Sequence, residues 1–320
     1  MITRRACLLA LSAGPFAARA QASYPTRPVR LLVGFAAGGI TDITARQVAE
    51  AMAPFLGQAL VVENKAGAGG NIASAELART TPDGYTLMVA SPGQLVVNPL
   101  TQKSVGFDPK TEFSLVGLIN TSPFVVVVPG NSPFKSAAEL VAWGKQHPGK
   151  LSFASPGIGT TMHIGGEMLN ALAGVQAVHI PYKGGAQSTA DLVAGRVDFM
   201  IDSLGAVSGQ VESGQLRVIG VTSPGKMTRF PDAQPMNTLY PDFELSSWLG
   251  LVGPPRMPAD VVTLLASALA KAVRTPKFVE TVEKRGSSVA DTSPAYFAAH
   301  LKRERERIER TVVKSGLRLD

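Results

Sequence analysis

Short apolar runs alternate with segments of helical periodicity along almost the whole chain, and this alternation is typical of α/β architecture. Residues 29–35 predict a buried strand. The next segment predicts a helix from about Asp42, because its apolar residues fall on one face. Continuous apolar runs predict further strands at residues 60–62, 85–90, 124–128, 151–154, 178–180, 197–201 and 216–221.

Helix starts are marked by glycine turns and capping residues. A glycine-rich turn ends at Gly70 and predicts a helix from Asn71, and Ser136 with Glu139 forms a capping box. Ser293 followed by proline predicts a C-terminal helix that runs towards Gly316. Two more helices are predicted, one ending near residue 172 and one over residues 258–274.

The chain predicts two lobes joined by ordered crossings, since no stretch has the composition of a disordered linker. The crossings are expected near residues 121–123 and 222–224, where a proline and small residues follow an apolar strand. Lobe 1 is therefore expected to be discontinuous, built from residues 23–122 and 226–320, and lobe 2 to contain residues 123–225.

The N-terminus has the order of a secretory signal peptide over residues 1–22. Arg4 and Arg5 precede an apolar stretch that is too short to span a bilayer. Small residues then allow cleavage after Ala20 or Ala22, and the paired arginines leave both general and twin-arginine export open. The mature chain is expected in the periplasm.

Composition narrows the chemistry. The single cysteine, Cys7, lies in the leader, so the mature chain has no thiol for disulfides, nucleophilic catalysis or metal binding. The formal net charge is +7, to which the leader contributes three arginines, and only 6% of residues are aromatic. This mild, unclustered basicity does not fit a nucleic-acid binder, but it suits attraction of small anions. No cofactor or metal is expected.

Three glycine loops stand between a predicted strand and a predicted helix, where backbone N–H groups favour an anion. Residues 35–42 form the first loop, and residues 155–161 form the second, with His163 one turn into the helix. The third loop follows Tyr182 and contains Gly184 and Gly185. Each loop could also be a plain tight turn; three loops spread over two lobes favour a ligand held between them.

Three side chains carry alternative roles. His163 is a candidate ligand contact, or it braces the second loop. Asp42 is a candidate ligand contact, or it caps its helix. Asp202 follows the strand at residues 197–201, where ligand groups gather in open α/β sheets; it could bind an amine, a hydroxyl or a water, or cap a turn.

Nucleotide and enzyme motifs are absent from the sequence. Met162 and Ile72 occupy the positions where a dinucleotide fingerprint requires its third glycine, and Met227 occupies the Ser/Thr position of a phosphate loop. No Gly-x-Ser-x-Gly or His-Glu-x-x-His motif occurs, and the four histidines are scattered. The sequence therefore predicts a binding protein without catalytic residues.

Several segments resemble the Bug family, the solute-binding proteins of tripartite tricarboxylate transporters. They cover nearly the whole mature chain in order: Tyr24-Pro25-x-Arg27-Pro28-Val29, Phe35-x-Ala37-Gly38-Gly39-x-x-Asp42-x-x-Ala45-Arg46, Val62-Glu63-Asn64-Lys65-x-Gly67-x-Gly69-Gly70, Pro82-Asp83-Gly84-Tyr85-Thr86-Leu87, Pro181-Tyr182-Lys183-Gly184, Gly195-Arg196-Val197-Asp198, and Leu216-Arg217 with Val221-Thr222.

The resemblance implies an α/β, two-lobe periplasmic-binding-protein fold of type II (Venus flytrap) with a hinge between the lobes. It implies that the first and second loops bind a ligand carboxylate mainly through backbone groups, hydroxyls and waters. The ligand-binding residues it implies are Phe35, Ala37, Gly38, Gly39, Thr41, Asp42, Ser155, Gly157, Gly159, Thr160, Thr161, His163 and Asp202, and we add Tyr182 from the third loop. The resemblance also implies Ser91 as a ligand-binding residue. Its segment, Ser91-Pro92-Gly93-Gln94, differs from the run of small hydroxyl residues that the family has there.

The expected function is capture of a small carboxylate, of the di- or tricarboxylate or acidic amino-acid type, by hinge closure. The expected partners are that ligand and the membrane permease subunits of the transporter, with no nucleic acid, and the protein is expected to be a monomer. Two alternatives stay open at this point. The chain could report ligand to a membrane receptor, or it could be an enzyme on the same fold.

Overall fold

The first sheet is built from the apolar runs in the N-terminal third of the chain. In this computed structural model, β1 (Val29–Val33) pairs in parallel with β2 (Leu60–Asn64) and with β3 (Thr86–Ala90). β10 (Ser246–Gly253) joins β3 in the antiparallel sense and connects the sheet to β4 (Ser114–Pro129). All five residues of β3 are buried, as expected for a strand covered on both faces.

The second sheet collects the middle of the chain, and its strand order is β9-β8-β4-β7-β5-β6. β5 pairs in parallel with β6 and β7, whereas β4 is antiparallel to β7 and β8. The strands span β5 (Ser152–Ser155), β6 (Val178–Pro181), β7 (Phe199–Ser203), β8 (Leu216–Val221) and β9 (Gln234–Pro235).

β4 (Ser114–Pro129) belongs to both sheets and carries the chain from one to the other. Its first half pairs with β10 up to Pro123, and its second half pairs with β7 from Phe124. The apolar run at residues 124–128 predicts only the second half. The first half escapes prediction because Gly117, Asn120, Thr121 and Ser122 interrupt its hydrophobic pattern.

Helices cover the faces of both sheets. On the first sheet and the crossing they are α1 (Ile40–Leu56), α2 (Asn71–Ala78), α3 (Asn98–Thr101), α9 (Ala259–Ala272), α10 (Pro276–Lys284) and α11 (Pro294–Ser315). On the second sheet they are α4 (Ala137–Gln146), α5 (Thr161–Ala173), α6 (Gly185–Val193), α7 (Leu204–Glu212) and α8 (Met236–Leu239). The short strand β11 (Ser288–Val289) pairs with β4.

The predicted capping box at Ser136 is confirmed. The Ser136 hydroxyl accepts the Glu139 N–H at 3.2 Å, and the Glu139 carboxylate reaches back to the Lys135 N–H at 2.7 Å. The first bond satisfies a helix N–H group that has no partner inside the helix, and the second holds Lys135, which directly precedes the N-cap, so together they fix where α4 begins.

The sequence pattern does not predict β10. Gly250 and Gly253 weaken its strand propensity. In the structure the ring of Phe297, from α11, occupies the space where a Gly250 side chain would lie. The strand is therefore specified by tertiary packing.

The structure describes residues 24–108, 113–222, 227, 229–243 and 245–315. The predicted signal peptide lies outside them, as do residues 223 and 224 of the second predicted crossing. β9 pairs with β8, so the second sheet extends past residue 225, where lobe 2 is predicted to end, at least to Pro235. We call the part built on the first sheet the first lobe and the part built on the second sheet the second lobe; this two-lobe α/β fold is the one predicted. Within the described residues, no helix has both the length and the apolar character needed to cross a bilayer.

Candidate functional site

A cavity of about 450 Å³ lies between the lobes, over the crossing of β4. Its walls come from Phe35 in the first lobe, from Phe124 on β4 and from Trp248 on β10. The volume is in the range of small-molecule binding sites. Eight of the fifteen predicted site residues line it: Phe35, Gly38, Gly39, Thr41, Ser91, Thr160, Thr161 and Asp202.

Four helices begin at this cavity. Its lining includes residues from the first turns of α1, α5, α6 and α7, the last two contributing Gly185 and Gly205. No side chain caps α1, α6 or α7. Since the first N–H groups of a helix have no partner inside it and lie at the positive end of the helix dipole, these four starts create an environment for an anion.

The first loop is held in shape by Asp42, which does not line the cavity. Its carboxylate accepts hydrogen bonds from the Gly38 N–H at 2.9 Å, the Arg46 Nε at 3.1 Å and the Asn64 Nδ2 at 2.9 Å. Burial raises the pKa of Asp42, but the bonds from Arg46, Gly38 and Asn64 outweigh it and leave the pKa below its usual value. The N-cap of α1 is Gly39, which has no side chain. Asp42 therefore braces the loop, and it neither caps α1 nor lines the cavity.

The second loop is held by hydroxyls and by His163. The Thr160 hydroxyl donates to the Gly157 carbonyl at 2.8 Å, and the Gly159 N–H donates to His163 Nδ1 at 3.2 Å. Gly157 has φ +151° and Gly159 has φ +78°, values that glycine adopts without strain. Thr160 and Thr161 therefore face the cavity, while Gly157, Gly159 and His163 shape the loop behind them.

His163 and His179 form a stacked pair beneath the second loop. Their ring centroids lie 3.7 Å apart, and His179 Nε2 lies 2.6 Å from Ser155 Oγ. Burial, together with the electrostatic effect of the neighbouring His163 ring, lowers the pKa of His179 to about 4, so the His179 ring is neutral at pH 7. Ser155 is fully buried and lies off the cavity wall. Of the two roles weighed for His163, the structure favours bracing.

Tyr182 and Ala37 also lie off the wall. The Tyr182 hydroxyl donates to Asp191 at 2.8 Å, and burial together with this bond raises its pKa to about 12. The third loop nevertheless reaches the cavity, through Gly185 and Ala186 at the start of α6.

Asp202 lies on the cavity wall at the end of β7 and is 1% exposed. Its Oδ1 accepts the Ser203 N–H at 2.6 Å, whereas its Oδ2 is buried and has no hydrogen-bond partner. Burial raises the pKa of Asp202 to about 7, although the bonds from Ser203 act in the opposite direction. An orphaned carboxyl oxygen on a cavity wall is a group that a ligand or a water can satisfy.

The departure at residues 91–94 produces a fixed cavity floor. The Ser91 hydroxyl and N–H both donate to the Gln94 Oε1 at 3.1 Å, and the Gln94 Nε2 donates to the Gly70 carbonyl at 3.2 Å. Gln94 is completely buried. Ser91 therefore lines the cavity with its hydroxyl proton directed to Gln94.

The lobes meet across glycines at the cavity rim. A Cβ on Gly39 would lie 3.5 Å from the Gly185 nitrogen, and a Cβ on Gly184 would lie 3.1 Å from the Ala36 Cβ. Below the cavity, a Cβ on Gly93 would lie 3.2 Å from the Gly159 carbonyl oxygen. The structure thus has the lobes closed on each other.

Sequence reasoning missed the apolar wall. Phe124, Trp248 and Leu249 line the cavity. Phe124 and Trp248 come together because β4 and β10 are neighbours at the crossing. Phe124 begins an apolar run that predicts only a strand, and β10 carries no strand signal. A search for polar motifs could not have found them.

A two-lobe α/β fold with a ligand-sized cavity between the lobes and helix starts on both sides defines a solute-binding protein. Residues 44–317 match the model of the "Tripartite tricarboxylate transporter family receptor". The chain belongs to this family, the Bug family of the sequence resemblance.

Relatives cover nearly the whole chain. A "UPF0065 protein in tcbD-tcbE intergenic region" from Pseudomonas sp. (strain P51) is 36% identical over 311 residues, 97% of this chain and 92% of that protein. The solved periplasmic binding protein BugD is 36% identical, with a TM-score of 0.87 over 92% of this chain and 99% of BugD. An R. palustris protein solved with adipate is 31% identical, with a TM-score of 0.87 over 92% of this chain and 99% of its own.

Proposed function

We propose that this protein captures a small carboxylate between its lobes by hinge closure and delivers it to the permease subunits of a tripartite tricarboxylate transporter. The observation that carries the proposal is the convergence of four helix starts, from both lobes, on one cavity. Family membership and the adipate bound to a relative support the carboxylate class.

Neutral donors suffice to hold such a ligand. The first backbone N–H groups of α1 and α6 and the hydroxyl of Thr161 are fixed in place before the ligand arrives. Each hydrogen bond to a charged acceptor contributes about 1.5–3 kcal/mol. A few such bonds, with the carboxylate desolvated between the lobes, support tight binding without a side-chain cation.

Closure completes the site, because neither lobe holds all the donors. The first lobe supplies Gly39 and Thr41, and the second supplies Thr161 and Gly185. A ligand that contacts both sets binds the closed form better, and this differential affinity is what shifts an open protein to the closed state.

The proposal includes no chemical conversion of the ligand. The nearest approach to a nucleophile and base is Ser155 with His179, but Ser155 is fully buried, off the cavity wall and hydrogen-bonded to the Gly157 carbonyl. We therefore expect mass spectrometry to recover a bound carboxylate unchanged after incubation, and conversion of the ligand would make the protein an enzyme.

Export to the periplasm and action as a monomer are parts of the same proposal. Cell fractionation and N-terminal sequencing of the exported chain test the cleavage expected after Ala20 or Ala22. Light scattering of the purified protein tests the monomer.

The central experiment is a thermal-shift and calorimetric screen of mono-, di- and tricarboxylates and acidic amino acids. A ligand present at 100 times its Kd should stabilise the fold by about 2.7 kcal/mol. If no carboxylate stabilises the protein, capture of this ligand class is wrong.

A further inference from the structure

The far wall of the cavity combines one orphaned acid with aromatic side chains. The acid is Asp202, whose Oδ2 is buried and unpartnered. Phe124 also lines the cavity where β4 crosses, but it pairs with Ser203 whereas Val125 pairs with Asp202, so Phe124 and Asp202 project from opposite faces of the sheet. Trp248 and Phe35 complete the aromatic wall from the first lobe.

This wall suits a ring better than a short chain. An apolar cavity of about 150 Å³ holds a benzene molecule. The present cavity, of about 450 Å³, leaves room for a ring together with polar groups and waters at both ends. A ring packed on the half-buried Phe35 would bury apolar area that a four-carbon chain cannot cover, while Phe124 and Trp248, each 1% exposed, support this wall from the core.

The charge on the wall argues against a second ionised group on the ligand. Among the described residues that line the cavity, Asp202 is the only ionisable side chain, and none is lysine or arginine. A second carboxylate at the Asp202 end would be desolvated beside an acid with no side-chain cation to compensate it. A neutral group is therefore favoured there.

A hydroxyl group is the neutral group that fits Asp202 in either protonation state. It donates to the Oδ2 of an ionised carboxylate and accepts from the Oδ2–H of a carboxylic acid. No single atom of an amide or an ether can both donate and accept a hydrogen bond in this way. Either bond satisfies the orphaned oxygen.

Building on the proposed function, we propose that the ligand is an aromatic monocarboxylate with a hydroxyl opposite its carboxylate. The carboxylate lies at the helix starts, the ring lies against Phe35, and the hydroxyl meets Asp202. Aliphatic di- and tricarboxylates are poorer ligands of this chain.

Calorimetric titration of the full mature protein with matched probes tests the ligand class. 4-Hydroxybenzoate should bind at least tenfold more tightly than adipate or citrate. Benzoate should bind roughly fivefold to tenfold more weakly than 4-hydroxybenzoate, the loss of one buried hydrogen bond. Tighter binding of adipate or citrate overturns the inference and leaves the proposed function standing, whereas binding of no carboxylate overturns both.

Variants test the roles of the two wall features. Asp202→Ala should remove the preference for 4-hydroxybenzoate over benzoate while benzoate still binds, and Asp202→Asn should keep the preference. Phe35→Ala should weaken 4-hydroxybenzoate about tenfold; Phe55→Ala, on the outer face of α1 and 43% exposed, is its matched control. A preference that survives in Asp202→Ala, or equal effects of the two phenylalanine variants, overturns these assignments.

Discussion

Single residues at this site have roles set by their partners more than by their type. Asp42 and Asp202 are both buried acids, but Asp42 accepts bonds from Arg46, Asn64 and Gly38 and carries a lowered pKa. Asp202 has only Ser203 and a raised pKa. The sequence predicts both as site residues because each lies at a strand or loop end. It does not show which has its bonds already satisfied, since Asn64 is distant in the chain.

Asp202 should make the ligand-free protein less stable as pH rises. Its pKa is about 7 in the folded protein and near 3.8 when exposed, so the folded state holds a proton that the unfolded state has lost. The stabilising effect of that proton is fully present below about pH 4 and is lost as pH rises to about 7. Asp202→Asn should not show this loss. Urea titrations from pH 4 to pH 8 measure it, and parallel pH profiles for the two proteins would contradict the assignment.

His179 should act in the opposite direction. Its pKa is about 4 in the folded protein and 6.5 when exposed, so the unfolded state takes up a proton first as pH falls. Stability is present above pH 6.5 and is lost as pH falls towards 4. In His179→Gln this part of the acid sensitivity should disappear, as read from the same urea titrations. If the variant is as acid-sensitive as the parent protein, the neutral, half-buried His179 ring is not a source of that sensitivity.

At the level of elements, helix starts and buried strands follow from the sequence, and the elements at the crossing do not. The glycine loops and the capping box at Ser136 are local signals, and the structure has helices where they predict them. β10 and the first half of β4 depend on neighbours such as Phe297, which fills the space over Gly250. The loops of the site were therefore predictable, while its aromatic wall was not.

The short π-helical turn that begins at Gly93 offers a test of lobe contact. A Cβ on Gly93 would press on the Gly159 carbonyl oxygen and, at 3.4 Å, on the Thr160 Cα in the other lobe. Gly93→Ala should therefore weaken ligand binding severalfold while the ligand-free protein stays as stable as before. Calorimetry and thermal unfolding measure the two quantities.

Gly209→Ala is the matched control for Gly93→Ala. Gly209 lies within α7, where an added Cβ meets nothing within 4 Å. Its replacement should gain the usual helix preference of alanine, about 0.5–1 kcal/mol, without changing affinity. Equal affinities for the two variants would mean that this contact does not limit closure. Gly159→Val is a less clean probe, because Gly159 has φ +78° and the change would also strain its own loop.

The whole molecule joins two lobes through β4 and through the segment that leads from β9 to β10. We expect the ligand-free protein in solution to populate an open form and a saturating carboxylate to close it. Small-angle scattering should then show a smaller radius of gyration with ligand than without. An unchanged radius, with binding demonstrated by calorimetry, would show that capture does not involve hinge closure.

β4 also restricts how the lobes can move. It runs without interruption from one sheet into the other, and β10 stays hydrogen-bonded to it as far as Pro123, next to the first pairing with β7. A ladder of this kind resists sliding and separation, because either motion would break bonds along its length, whereas it tolerates twist. We therefore expect the loaded and empty proteins to differ in the angle between the lobes and not in overall length. A membrane partner that distinguishes them would then recognise the relative orientation of one surface on each lobe.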